Sequence, residues 1–450
     1  MLAAEVFKAY DVRGVYQREL DEEGAYAIGR AYVEQFEPRR IAVGRDMRLS
    51  APTMAAAVIS GAADGGADVL DLGMVGTEMV YFAVGELGLD GGIAVTASHN
   101  PKEYTGMKIV RRGALPVGIE SGLAEVRERA LAGAWGEAAR GSVTAEDIWD
   151  RFVSRVLSFV DVASIRPLRV VIDGANGMAG AMLPPVLERL PMVEVVRCYF
   201  DPDGSFPNHE PNPLLPENRE FIVRATREAD ADFGVAYDGD ADRCFFVDDQ
   251  GEFIPGDFTT ALFAAAILAK EPDAKVIYDV RASWAVPEAI EAAGGVPLVN
   301  RVGHAFIKQR MREVDAVFAG EVSAHYYFRD FSQADSGVIP FLLMLEIVSR
   351  SGRRLSELLA PLRSRYFLTG ELNTPVRDVA LTLQELKDRF GPAGRVSHLD
   401  GLSVDAADWH FNVRPSNTEP LLRLNLEARS QALMEQKRDE VLSVIRGEEP

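Results

Sequence analysis

Runs of apolar, β-branched residues alternate with helix-like patterns along most of this chain, and this alternation limits the fold more than any other feature. A strand-like run at residues 41–44 precedes a helix that is predicted to begin at an N-cap Ser50 and to end at Gly65, after which the strand-like pattern resumes. The order of helix, glycine stop and strand recurs at residues 288–299. Strand-helix-strand units predict an α/β protein with mostly parallel or mixed sheets.

Length and charge narrow the class of protein. The 450 residues predict about three or four domains, and 47% hydrophobic with 26% charged residues is ordinary for a globular protein. A formal net charge of −20 argues against nucleic-acid or anionic-membrane partners. The two cysteines form no CxxC pair, no apolar run is long enough to span a membrane, and no signal peptide is visible. We therefore expect a cytoplasmic protein.

Three aspartates alternate with small residues directly after a strand-like run at residues 232–237. Asp238, Asp240 and Asp242 crowd three carboxylates together, and such a group repels itself unless a cation lies among them. Oxygen ligands favour Mg²⁺ or Ca²⁺. An EF-hand is excluded, because its sixth position would be Arg243 rather than glycine and its twelfth Asp249 rather than glutamate. The pattern predicts a divalent-metal loop, with an acidic turn as the alternative.

A serine follows another strand-like run, at residues 92–95. The order predicts a strand that ends in an exposed loop carrying Ser98. Its neighbour His99 is not assumed to be its base, since adjacent side chains tend to diverge, and acyl transfer lacks a Gly-x-Ser-x-Gly elbow. A phosphorylated Ser98 fits better, because a metal would neutralise its charge and the phosphoryl group would complete the metal's ligands.

Two further loops carry groups that suit a phosphorylated sugar. A predicted strand-loop-strand at residues 411–426 holds a guanidinium, two hydroxyls and an amide, all of them possible phosphate donors: Arg414, Ser416, Asn417 and Thr418. After the apolar run 316–319, Glu321 and Ser323 suit the vicinal hydroxyls of a sugar. Taken singly, either loop could be a polar turn.

Together, the four loops resemble those of the α-D-phosphohexomutase family and occur in the family's order. Other stretches agree, at residues 7–14, 43–46, 206–209 and 301–304. The resemblance implies three related α/β domains and a smaller C-terminal α+β domain around a central cleft. The expected ranges are 1–150 with the phosphoserine loop, 151–251 with the metal loop, 252–366 with the sugar loop and 367–450 with the phosphate loop.

The resemblance also implies roles for individual residues. Ser98 would be the phosphoserine, and it would hold Mg²⁺ together with Asp238, Asp240 and Asp242. Arg13, Lys108, His99 and Arg243 are implied near the transferring phosphate, although no single general base is evident. The implied substrate-binding residues are Tyr10, Arg281 (where relatives often carry lysine), His304, Glu321, Ser323, Arg414, Ser416, Asn417, Thr418 and Arg423.

The reaction implied by the resemblance interconverts mannose 6-phosphate and mannose 1-phosphate through a hexose 1,6-bisphosphate, which is also the expected activator. The stretch Ser323-Ala324-His325 resembles the phosphomannomutase branch, many relatives having glycine in place of Ala324, and Ala241 stands where phosphoglucosamine mutases tend to have glycine. The alternatives are a glucose or glucosamine phosphate mutase, an Mg²⁺-dependent phosphatase and a non-catalytic phosphosugar-binding protein. A monomer or a homodimer is expected.

Overall fold

The computed structural model describes residues 1–416 and 421–448. Backbone contacts divide the chain into two units. Unit 1 comprises Met1–Ile254, Met311–Val317 and Ser323–Leu355, and unit 2 comprises Pro255–Arg310, Phe318–Val322 and the described residues from Ser356 onward. The four expected domain ranges remain a prediction. Among the described residues, no helix combines the length and the apolar character that a bilayer crossing requires.

The first sheet of unit 1 has the order β1-β5-β4-β2-β3-β7, with β6 paired to β5. The strands β2, β3 and β4 are parallel, and β5 runs antiparallel to β4. The strands are β1 (Val12–Val15), β2 (Arg40–Arg45), β3 (Asp68–Met74), β4 (Gly91–Val95), β5 (Tyr104–Arg111), β6 (Leu115–Pro116) and β7 (Val143–Ala145). The accompanying helices are α1 (Glu22–Phe36), α2 (Ala51–Asp64), α3 (Thr77–Glu86) and α4 (Leu123–Ala132). Their apolar faces form a core with the buried strands.

The second sheet of unit 1 has the order β11-β10-β8-β9. Its strands are β8 (Leu168–Asp173), β9 (Val193–Cys198), β10 (Phe233–Tyr237) and β11 (Cys244–Asp248), and β10 with β11 forms the antiparallel pair that delivers the aspartate loop. The helices α5 (Trp149–Leu157), α6 (Ala179–Leu187) and α7 (Pro216–Glu228) accompany it. Unit 1 also contains β15 (Tyr326–Phe328), β16 (Ala334–Asp335) and the buried helix α11 (Val338–Ser351).

Unit 2 contains a parallel group of strands and an antiparallel sheet. In the parallel group, β12 (Lys275–Asp279) lies between β13 (Val296–Asn300) and β14 (Phe318–Gly320). The antiparallel sheet has the order β17-β21-β20-β19-β18, with β17 (Phe367–Pro375), β18 (Arg395–Ser397), β19 (Leu402–Asp405), β20 (Trp409–Pro415) and β21 (Leu421–Ala428). The remaining helices of the chain are α8 (Gly256–Leu268), α9 (Ala285–Ala292), α10 (His304–Val314), α12 (Leu355–Arg363), α13 (Val379–Phe390) and α14 (Gln431–Arg446).

The predicted elements are confirmed with one local correction. The strand-helix-strand order around α2 is as predicted, α9 and β13 form the predicted helix and strand, and β20 and β21 are the two strands that the sequence predicted at residues 411–426. Helix α2 does begin beside Ser50, but the Ser50 backbone is already helical (φ −78°, ψ −20°) and its hydroxyl makes no capping hydrogen bond. Ser50 is the N-cap residue, as predicted, but it does not cap the helix through its hydroxyl, because a capping side chain needs an extended residue at that position.

Candidate functional site

The serine loop lies at the end of β4, but it is not the exposed loop that the sequence predicted. Ser98 is only 3% exposed. Its hydroxyl Oγ donates to Asp238 Oδ2 at 3.1 Å, so the aspartate loop covers it. The order of residues located the end of the strand correctly, but the burial comes from a segment 140 residues further along the chain.

Ser98 holds an unusual backbone conformation. Its φ is +49°, in the left-handed region that side-chain-bearing residues rarely adopt. The Thr96 Oγ1 accepts a hydrogen bond from the Ser98 N–H at 2.9 Å. The sequence argument assumed that the His99 ring diverges from the serine. It does not, because His99 Nδ1 lies 3.2 Å from Ser98 Oγ. Burial, with the charges of Arg243 and Arg13, holds the pKa of His99 well below its usual range, so the ring is neutral.

The aspartate loop is a tight turn between β10 and β11. Asp238, Asp240 and Asp242 are buried, and each offers an oxygen within 4.8 Å of the others. Glycine is required at Gly239, because an added Cβ would lie 2.4 Å from the Ser98 carbonyl oxygen. The φ of Ala241 is +61°, so the carboxylates converge through a turn rather than by alternation along an extended strand.

Two cations neutralise part of this negative charge. Lys108, on β5, donates from Nζ to Asp240 Oδ2 at 2.7 Å and also to Asp242. Arg243 donates from Nε to Asp238 Oδ2 at 2.8 Å. Burial alone would lower the pKa of Lys108, but Asp240 and Asp242 raise it well above the usual range, so the ammonium is charged. Burial raises the pKa of Asp238 to about 7, against the opposing effect of Arg243.

The carboxylate cluster fits a divalent cation. Three buried carboxylates face two cationic side chains, and Asp240 Oδ1 is buried without a hydrogen-bond partner among the described residues. An unpartnered buried carboxylate oxygen is costly, and a hard cation such as Mg²⁺ would satisfy it. The Nη2 of Arg243 is likewise buried without a partner there, so one guanidinium donor remains available to an anion.

Three more of the predicted residues lie in unit 1. Arg13, on β1, donates to the side chains of Asn100 and Asp11, which places it beside the serine loop. Tyr10 is half-buried in the segment before β1. Ser323 Oγ lies 3.0 Å from His325 Nδ1, and the opposite ring nitrogen of His325 is 3.9 Å from Asp242 Oδ1.

In unit 2, Arg281 is engaged by carboxylates. Its Nε and Nη2 donate to the two oxygens of Asp279 at 2.9 and 2.8 Å, while Glu321 lies 3.9 Å away. Burial opposes this charge, but Asp279 raises the pKa of Arg281, so the pair is ionic. The Gly303 N–H donates to Glu321 Oε1 at 3.1 Å, directly before His304 begins α10.

Two other predicted arginines of unit 2 face each other across the antiparallel pair β20 and β21. Arg414 and Arg423 are direct cross-strand partners, an arrangement that repulsion disfavours. Glu371 lies between them, accepting from Arg414 Nη2 at 3.3 Å and from Arg423 Nη1 at 3.0 Å. The Nε atoms of both arginines are buried without a partner among the described residues, so one carboxylate does not satisfy two guanidinium groups.

The Ser416 hydroxyl belongs to this same arginine cluster, accepting from Arg423 Nη2 at 3.4 Å. Asn417 and Thr418 lie outside the described residues. The predictions for these two residues therefore rest on the sequence.

The sequence analysis missed several residues that shape these groups. Thr77, at the start of α3, donates from Oγ1 to Asp240 Oδ2 at 2.6 Å, and nothing in its local sequence indicates that contact. Glu371 and Asp279 were also missed. Asp279 ends β12, so the strand-end rule that located the other loops could have found it. Glu371 lies inside a strand, where only tertiary contacts reveal its role.

Comparison with protein families covers most of the chain. Four family models described as phosphoglucomutase/phosphomannomutase match the chain. They are alpha/beta/alpha domain I at residues 4–133, domain II at 150–251, domain III at 255–366 and the C-terminal domain at 371–444. The expected fold class, three α/β domains and a C-terminal domain, is thereby confirmed.

Individual relatives agree over the full length. A phosphomannomutase of Salmonella montevideo is 45% identical over 98% of both chains. A Xanthomonas campestris protein named "Phosphohexose mutases" is 44% identical over 98% of this chain and 99% of its own. A crystal structure of a phosphoglucomutase/phosphomannomutase family protein from Burkholderia thailandensis matches with a TM-score of 0.90 at 34% identity, covering 100% of this chain and 99% of its own. The chain therefore belongs to the phosphoglucomutase/phosphomannomutase family, the α-D-phosphohexomutases.

Proposed function

We propose that this protein is a phosphomannomutase that interconverts mannose 6-phosphate and mannose 1-phosphate through a phosphorylated Ser98. The observation that carries the proposal is the Ser98 hydroxyl, 3.1 Å from Asp238 at the edge of a buried carboxylate cluster that lacks enough cations. The names of the full-length relatives support the same class of reaction.

In this proposal, Asp238, Asp240 and Asp242 hold one Mg²⁺ together with the phosphoryl group on Ser98. Bound there, the ion would neutralise phosphoryl charge during transfer. Lys108 already lies among the same carboxylates, so it is placed to compensate charge on the phosphoryl oxygens as well. The available donor of Arg243 would bind one of those oxygens.

The proposed transfer breaks the bond between phosphorus and Ser98 Oγ and forms one between phosphorus and a free sugar hydroxyl. The sugar hydroxyl loses one proton and Ser98 Oγ gains one, so the transfer consumes no net proton. The neutral His99 ring, 3.2 Å from Oγ, is placed to accept the hydrogen bond of the re-formed serine hydroxyl. The product is a hexose 1,6-bisphosphate, which returns its other phosphate to Ser98 after it has reoriented. The same bisphosphate would reload a dephosphorylated enzyme, which is why we propose it as the activator.

Other predicted residues carry groups that suit the parts of the substrate that do not react. We propose that Arg414 and Arg423, with Ser416 and the predicted Asn417 and Thr418, bind the phosphate that stays on the sugar. Glu321 and Ser323 would accept or donate hydrogen bonds to sugar hydroxyls, with Tyr10 and His304 as further predicted contacts. Arg281 would act mainly by fixing Asp279 and Glu321, because its donors already engage carboxylates.

A second candidate function is a mutase that accepts both mannose and glucose phosphates. The relative named "Phosphohexose mutases", at 44% identity, favours it, since that name is not restricted to one sugar. The two candidate functions share all the proposed chemistry. They differ only in whether the site distinguishes the two configurations of the sugar C2 hydroxyl.

The test compares rates on mannose 1-phosphate, glucose 1-phosphate and glucosamine 1-phosphate, with Mg²⁺ and a catalytic amount of hexose 1,6-bisphosphate. We expect hexose 6-phosphate to form fastest from mannose 1-phosphate, without steady release of inorganic phosphate. Comparable rates on mannose and glucose would establish the dual-specificity mutase instead. Continuous phosphate release with no 6-phosphate product would identify a phosphatase and overturn the proposal.

A further inference from the structure

A buried arginine that belongs neither to the aspartate cluster nor to the arginine cluster donates hydrogen bonds to the serine loop. Arg48 follows β2 and is 1% exposed. Its Nη2 donates to the carbonyl oxygens of Ser98 at 2.8 Å and Asn100 at 2.6 Å, and its Nη1 donates to those of Pro101 at 2.8 Å and Tyr104 at 3.2 Å. One guanidinium thus binds four main-chain carbonyls within residues 98–104.

The same guanidinium is fixed from two other directions. Asp46 is also buried. One of its carboxylate oxygens accepts from the backbone N–H of Arg48 at 2.9 Å, and the other lies 3.4 Å from Arg48 Nε. The Phe206 ring lies under the guanidinium, with 5.1 Å between the ring centroid and Cζ. Because Arg48 cannot move independently, it is suited to impose a conformation on the loop that it holds.

The conformation that needs support is that of Ser98 itself. With φ at +49°, this residue occupies a strained region that persists only when its surroundings hold it there. Thr96 binds the Ser98 N–H, and Arg48 binds the Ser98 carbonyl, so both ends of the residue are fixed. In this conformation Oγ meets both Asp238 and His99.

We propose that Arg48 is a positioning residue for phosphoryl transfer: it holds the main chain of residues 98–104 so that Ser98 Oγ faces the aspartate loop. The proposal rests on the proposed mutase function for its kinetic consequence. It depends on the planar fork of the guanidinium, which reaches four carbonyls from two nitrogens, and not on positive charge alone. A lysine ammonium at the same place has three donors on one atom and cannot reproduce that geometry.

The decisive variant is Arg48→Lys, compared with Arg30→Lys as a matched control. Arg30 is likewise buried in unit 1, and it donates to two main-chain carbonyls, those of Asp64 and Gly136, which are not in the serine loop. Both variants lose the same kind of contact, so the control separates a loss of stability from a loss of position. Misplacing a reacting atom by about 1 Å can cost about 100-fold in rate.

We expect Arg48→Lys to lower kcat by about tenfold to 100-fold with KM within about twofold, while Arg30→Lys leaves both within about twofold even if it melts earlier. Transfer of phosphate from hexose 1,6-bisphosphate to Ser98, followed by intact mass, should slow by the same factor. A folded Arg48→Lys protein with parental kcat would overturn the proposal, as would an equal loss of kcat in the control.

A second readout does not need the mutase activity. Amide hydrogen exchange of residues 96–104 should accelerate in Arg48→Lys and remain at the parental rate in Arg30→Lys, since only the first variant loses the guanidinium hydrogen bonds to this loop. If the unaltered protein has no mutase activity but this exchange pattern is found, the proposed function fails and the positioning of the loop stands. Unchanged exchange in Arg48→Lys would overturn the positioning itself.

Discussion

The aspartate cluster of unit 1 and the arginine cluster of unit 2 are opposite solutions to burying charge. In the first, three carboxylates surround two cationic side chains, and in the second, Arg414 and Arg423 share the carboxylate of Glu371. Among the described residues, each cluster leaves polar atoms of its majority charge without hydrogen-bond partners: an Asp240 oxygen in one, and the Nε atoms of two arginines in the other. The imbalance indicates the ligand, a cation for the first cluster and an anion for the second.

The largest effect on turnover is expected when the hydroxyl of Ser98 is removed. Ser98→Ala should lower mutase turnover by about 1,000-fold or more, because the proposed mechanism carries the phosphoryl group on the Ser98 hydroxyl. Folding should be retained, since the change removes one hydroxyl and adds no bulk. Turnover and thermal unfolding measure the two effects, with Ser142→Ala, an exposed serine of unit 1, as the control. Parental turnover in Ser98→Ala would exclude Ser98 as the phosphoryl carrier.

Next in size is the effect of removing one anionic ligand from the aspartate cluster. Asp240→Asn should lower kcat by at least about 100-fold and abolish the rise in melting temperature that we expect Mg²⁺ to cause in the parent. The change also leaves Lys108 with one anionic partner fewer. Thermal unfolding during an Mg²⁺ titration measures the effect, with the exposed Asp201→Asn as the control. An unchanged Mg²⁺ response would place the metal elsewhere.

The corresponding change in the arginine cluster should affect binding instead. Arg414→Gln removes a charged donor worth about 2 kcal/mol, so KM for hexose phosphate should rise by about tenfold to 100-fold with a smaller change in kcat. Its Mg²⁺ midpoint should match that of the parent. Arg395→Gln is the control, because Arg395 is an exposed arginine of the same sheet. A shifted Mg²⁺ midpoint with unchanged KM would break the contrast between the two clusters.

Opposite pH dependences offer a smaller but sharper test. In the metal-free protein, burial raises the pKa of Asp238 from 3.8 to about 7, so the folded state holds a proton that the unfolded state has lost, and stability falls as pH rises through that window. Burial would also raise the pKa of Glu371, but Arg281, Arg414 and Arg423 lower it below 4.5, so its contribution is lost as pH falls through the lowered pKa.

Chemical unfolding between pH 3 and pH 8 should therefore change in opposite ways in two variants. Asp238→Asn should remove part of the decline in stability above about pH 4, and Glu371→Gln should remove part of the acid-side loss, each by less than one proton's slope. Added Mg²⁺ should abolish the first dependence and leave the second. The same pH profile in both variants would contradict the assigned signs.

The smallest expected effect concerns the two alanines on which the sequence argument about sugar preference depended. Ala241 and Ala324 have φ values of +61° and +62° and are buried, so glycine in relatives is explained by backbone conformation. We expect Ala241→Gly and Ala324→Gly to change stability by less than about 1 kcal/mol and to leave the ratio of mannose to glucose rates unchanged. A reversed ratio would restore these positions as determinants of specificity.

The sequence by itself determined the order of the elements and the candidate loops, because strand ends, glycine stops and clustered carboxylates are local patterns. The family followed from the resemblance of four such loops, taken in order. The sequence also singled out Ser98, the three aspartates and Arg414 as candidate site residues without any contact information, and their roles stay predictions. It could not determine that the serine loop is buried, that His99 turns back to Ser98, or that Glu371 and Thr77 complete their clusters. Those facts depend on residues brought together from distant parts of the chain, and on a left-handed φ at Ser98 that only the surrounding contacts hold in place.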